Sequence, residues 1–86
     1  MAIRYGRGVE GKLALRVVSH GEVLETLASG VPGEAHSGRE ARVRVFPFHA
    51  QWEGRFYDEK QVRVIFREEA GDVIVVSVIA RYGRFP

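Results

Sequence analysis

The segment Gln61 to Phe85, QVRVIFREEAGDVIVVSVIARYGRF, constrains this chain most, because it reads as two long strands joined by a tight polar turn. In the first, Val62, Val64 and Phe66 share one face and Gln61, Arg63, Ile65 and Arg67 the other; the second is apolar almost without a break from Val73 to Ala80. A strand apolar on both sides belongs near the middle of a sheet, while one that alternates can leave a face to water. The pattern predicts a small α+β domain with a basic sheet face.

Upstream, Ser19 and Glu22 have the spacing of a capping box, and Val18 and Val23 stand at the two positions of a hydrophobic staple. A helix over His20 to Ala28 follows, with Val23, Leu24, Leu27 and Ala28 on one stripe and Gly30 and Pro32 as the stop. From Gly8 to Val18 the spacing fits a helix and a strand equally well, and Gly8 and Gly11 weigh against a helix. Residues 31–40 read as a loop with room for a short edge strand. Ala41 to Phe46 alternates until Pro47 interrupts it, and Arg55 to Tyr57 reads as a short strand leading into a turn at Asp58, Glu59 and Lys60.

With 86 residues the chain makes one domain. No segment approaches the roughly 18 consecutive apolar residues of a membrane span. The N-terminal MAIRYGRGVEGK has no apolar signal core, so a cytoplasmic protein is expected. The absence of cysteine excludes a disulfide and a thiolate nucleophile. His20, His36 and His49 lack metal-ligand spacing, the early glycines lack the ending of a phosphate-binding loop, and no serine sits in a nucleophile elbow. Neither metal nor cofactor is expected.

Thirteen basic against eleven acidic residues give a net charge of +2, and eleven of the thirteen are arginine. Arginine presents a planar fork of donors matched to phosphate and stacks on bases. By alternation Arg42 and Arg44 share a face, as do Arg63 and Arg67. If both pairs point away from the helices, that face grips RNA, with Tyr57 or Tyr82 nearby to stack bases; the alternative is a solvated face paired to Glu40, Glu59 or Glu68.

Arg16 to Gly30, RVVSHGEVLETLASG, followed by Gly54 to Val78, GRFYDEKQVRVIFREEAGDVIVVSV, resembles a small bacterial domain family of uncharacterised function placed near the RelE- and BrnT-type toxin ribonucleases. The resemblance implies an α+β fold with two N-terminal helices, the first over Gly8 to Arg16, packed on a three- to four-stranded antiparallel sheet. It implies RNA as substrate class and a cognate antitoxin as partner. Members of that family begin the first helix with a histidine followed by spaced arginines; here Gly8 stands at the histidine position, and Lys12 and Arg16 look like the counterparts of the arginines. RelE-type toxins work with Arg, Lys and Tyr, which on this chain points to Arg81 and Tyr82 at the end of the last strand, with His49 as a further proton-transfer group. Arg42, Arg44, Arg63, Arg67 and Arg84 would then hold phosphate.

A second reading is a non-catalytic interaction module or homo-oligomer. It rests on the small core and on Phe46, Phe48 and Trp52 around Pro47. Trp52 itself reads as a hydrophobic plug in the loop before the hairpin.

Overall fold

The computed structural model describes residues 2–36 and 38–86. The chain runs β1 (Ile3–Tyr5), α1 (Val9–Leu15), α2 (His20–Ser29), β2 (Val31–Gly33), β3 (Glu40–Trp52), β4 (Arg55–Glu69) and β5 (Asp72–Gly83). The strands form one sheet in the order β1-β5-β4-β3-β2, antiparallel throughout except that β1 lies parallel to β5.

This corrects the expected architecture. The sheet has five strands rather than three or four, is mixed rather than antiparallel, and makes up most of the molecule. β2 falls where residues 31–40 left room for a short edge strand, whereas β1 is an unexpected three-residue edge too short to show a period of its own. β3 runs through Pro47, and the segment expected to turn at Asp58 to Lys60 stays inside a fifteen-residue strand. Pro47 is tolerated because β2 pairs only with Ala41 to Val43, leaving β3 an edge strand at that point, and because the register slips between Pro47 and Ala50. The alternating β4 occupies the centre, with the apolar β5 beside it.

Both helices pack on one face of the sheet. Val9 and Leu13 from α1, Val23 from α2 and Val18 between them close over Phe46, Val62, Val64, Phe66, Val73, Val75 and Val78. The Ser19 hydroxyl accepts from the Glu22 amide and the Glu22 carboxylate from the Ser19 amide, so the capping box forms as its spacing predicts.

α1 ends in a Schellman motif: the Val17 amide donates to the Ala14 carbonyl at 3.2 Å and the Val18 amide to the Leu13 carbonyl at 3.0 Å, while Val18 and Leu13 are both in the core. The left-handed position that normally takes glycine is Val17, at φ 54°. A β-branched residue there is strained by about 1–2 kcal/mol. Val17→Gly is therefore expected to stabilise the fold by about 1 kcal/mol, read as a higher urea midpoint at unchanged slope.

The two faces follow from the register. Arg42 pairs with Val64, and Arg44 with Val62, on the helix-covered face. The other face carries Val43 across from Arg63 and Ile79, Val45 across from Gln61 and Arg81, and Ala41 across from Ile65 and Ser77. Neither α1 nor α2 covers that second face.

Candidate functional site

The residues expected to act on RNA are divided between the two faces. Arg42 and Arg44 lie under α2: the Arg42 guanidinium sits 5.4 Å from the centre of the Phe66 ring, that of Arg44 lies 5.0 Å from Phe46, and Arg44 also bonds to Ser29 Oγ at 2.6 Å and pairs with Glu25. Arg63 and Arg67 lie on the helix-free face. A single four-arginine surface does not form. The physical reason is that Phe46, which shares a face with Arg42 and Arg44, is the buried side of β3, whereas Val43 and Val45 look outward.

The candidate catalytic residues separate likewise. Tyr82 pairs with Lys60 on the helix side, its hydroxyl donates to the Arg16 carbonyl, and its ring stacks on Trp52 at 4.3 Å. Phe48 and Tyr57 complete the aromatic cluster. Burial, then the nearby Glu22 carboxylate, pushes the Tyr82 phenol above its ordinary value, favouring a neutral donor. Arg81, one residue earlier, is exposed on the opposite face. His49 is exposed at the β3 irregularity with φ 46°, its Nδ1 3.7 Å from Asp58, and Arg84 reaches the same carboxylate at 2.6 Å. Asp58 thus gathers His49 and Arg84, while Arg81 and Tyr82 remain apart from each other. Trp52 is a strand residue in the aromatic cluster rather than a loop plug.

Two polar clusters went unforeseen. Lys60 is only 4% exposed and donates to Glu22 Oε1 at 2.8 Å and to the Val17 carbonyl at 2.7 Å. With the Arg16 guanidinium on the Val78 carbonyl, these bonds fasten the α1–α2 connection to the sheet. The Tyr5 hydroxyl meets His20 Nδ1 at 2.5 Å. Burial, then Glu10, raises the Tyr5 phenol. Both clusters tie helices to strands, and the alternation of β4 gave the one available signal, since Lys60 falls on the Val62 and Val64 side.

The helix-free face has a different composition. Val31, Val43, Val45, Ile65 and Ile79 form an aliphatic surface, with Val31 64% exposed. Arg63 stands at its centre, Arg81 beside it, and Arg67 and Arg4 beyond, the last two paired with Glu69 and Asp72 at 3.2 Å. The connection after β2 rises along one margin, so that Glu34, Ala35, His36 and Arg39 wall a concavity of about 470 Å³ floored by Arg63, Ile65 and Ile79. At the opposite end the C-terminal residues fold back, the Phe85 amide donating to Glu59 at 2.7 Å and Pro86 lying near Val45 and Gln61.

Among the described residues, no three His, Asp or Glu side chains converge to hold a metal. Nor is any helix among them long and apolar enough to cross a membrane. No family model, curated protein or solved structure matches the chain.

Proposed function

We propose that this protein is a non-catalytic interaction module that docks a protein segment of alternating acidic and aliphatic side chains on the helix-free face of its sheet. The observation that carries the proposal is the aliphatic surface of Val31, Val43, Val45, Ile65 and Ile79, exposed at Val31 and half-buried at the other four, covered by neither helix and set with arginines. Buried interface centres favour arginine and aliphatic contact over lysine, and a row of guanidiniums on such a floor complements carboxylates. The surface pairs of Arg4 and Arg67 hold each arginine by about 1 kcal/mol or less, so a partner carboxylate can replace them at small cost.

Two other occupants fit less well. A second copy packed face to face about a two-fold axis would bring Arg63 against Arg63 at the centre of the interface. Single-stranded RNA needs cations and bare aromatic rings on one surface, and here the stacked rings of Trp52 and Tyr82 lie on the face opposite Arg63 and Arg81.

Selection of short random peptides on the immobilised protein, followed by calorimetry, tests this. Enriched peptides are expected to combine Asp or Glu with Val, Ile or Leu, and Arg81→Glu is expected to weaken them at least about tenfold, some 1.4 kcal/mol. Enrichment of basic peptides, a dimer that Arg63→Glu dissociates, or tight RNA retention with a steep salt dependence would each overturn the reading.

A further inference from the structure

Resting on that reading and naming its anchor, we infer that the concavity beside the connection after β2 is a receptor for a carboxylate borne on a short branched aliphatic group, with Arg63 as the carboxylate-binding residue.

Arg63 is prepared for this role. Its Nη1 donates to the Glu34 carbonyl at 3.0 Å, which uses one of the five guanidinium N–H donors and restrains the side chain before any ligand arrives. Gly33 makes room for that position: a Cβ there would lie 3.0 Å from Arg63 Nη1 and 2.9 Å from a Val43 methyl. Arg63 forms no ion pair with any described residue, in contrast to Arg4, Arg42, Arg44, Arg67 and Arg84. Arg39 adds a second cation to the wall, and among the described residues lining the concavity Glu34 alone is acidic, its backbone carbonyl being the group that engages Arg63.

The floor sets the rest of the ligand. Ile65 and Ile79 flank Arg63 along and across the sheet and offer branched aliphatic contact at the distance of a few carbon atoms. A volume of about 470 Å³ falls in the range of small-ligand pockets. A planar fork beside aliphatic side chains selects an acid with a short branched tail over an uncharged isostere, because the fork is matched bidentately by a carboxylate. The same chemistry is offered by a free branched-chain acid and by an acidic residue beside an aliphatic one in a docked segment.

Heteronuclear spectra of the Arg63 Nε–H and the Ile65 and Ile79 methyls, recorded during titration with 3-methylbutanoate, 3-methylbutanamide, inorganic phosphate and a capped Leu-Glu-Val peptide, test the site and separate the sources. The acid is expected to shift all three groups saturably, with the amide at least about tenfold weaker. Arg63→Gln should abolish the response. Gly33→Ala should weaken it by displacing the guanidinium, without touching the ligand. Tighter binding of the peptide than of the acid assigns the site to a partner's side chain, and the reverse assigns it to a free acid; either supports the inference. Equal shifts with the amide, stronger binding of phosphate, or an unchanged response in Arg63→Gln overturns it. If the acid binds but no acidic peptide is enriched in the selection, the docking reading fails and this site stands. If peptides dock equally to Arg63→Gln, the site fails and the docking reading stands.

Discussion

Glu22→Ala is expected to lower the stability of the fold by about 3 kcal/mol, on the order of 15 °C in melting temperature for a domain of this size, whereas Lys60→Met costs less than half as much. One carboxylate oxygen, Oε1, serves both the Ser19 amide at 2.9 Å and the Lys60 ammonium at 2.8 Å. Removing it strips the helix start of half its capping box, worth about 1 kcal/mol, and leaves a cation with almost no solvent contact beside the Phe48 ring. Removing the lysine instead leaves Glu22 still capping α2, its side chain 23% exposed and able to hydrate. That partial exposure places the loss at the lower end of the range for buried pairs. Urea unfolding of both variants, with Glu22→Gln as an isosteric control, reads the asymmetry. Equal losses for Glu22→Ala and Lys60→Met would show that the Lys60 ammonium reaches water in the folded state.

Gly30→Ala is expected to cost about 3 kcal/mol, at the upper end of what overpacking does. Gly30 lies where α2 hands over to β2, its amide closing the helix on the Thr26 carbonyl at 2.9 Å. A Cβ there would stand 2.5 Å from the Thr26 oxygen, 2.9 Å from the Val43 oxygen and 3.1 Å from the Val43 nitrogen. All three neighbours are backbone, one at the end of α2 and two in β3, so relief requires the last turn of α2 to open as well as β2 to lift away from β3. Amide exchange at Val31 and Gly33 should then accelerate far more than at Val62 or Val64 in the sheet centre. Because Gly33 belongs to β2 and holds space for Arg63, the variant should also lose the carboxylate response. A folded variant with unaltered exchange at Val31 would mean that the junction accommodates a methyl by a shift the rigid geometry does not allow.

The sequence spoke clearly wherever a signal was local. The Ser19 and Glu22 spacing located the start of α2, and the polar turn between two apolar stretches located the β4–β5 hairpin, because both depend on residues within a few positions of one another. Long-range register is written nowhere in such patterns. Alternation showed that Arg42 and Arg44 share a face and that Arg63 and Arg67 do, but the relative phase depends on Arg42 meeting Val64 rather than Arg63. The valines of β3 invited burial by composition, yet Phe46 on the other side is the larger side chain and takes the core, with arginine guanidiniums lying over the Phe66 and Phe46 rings. β1 offered three residues with no period, and its partner lies at the far end of the chain.

That partner has a consequence for how the molecule is made. The Ala2 amide bonds to Asp72 across seventy residues, and Ile3 to Tyr5 pair with Val73 to Val75. The β3–β4 and β4–β5 hairpins close by short loops and can form as soon as their own residues are present, but β1 leaves the ribosome well before β5, the strand it pairs with. Of these five strands, the one synthesised earliest is the last to be paired. Until β5 emerges, β1 and α1 have no surface to bury against, and the rate of the final folding step should be set by this one parallel closure.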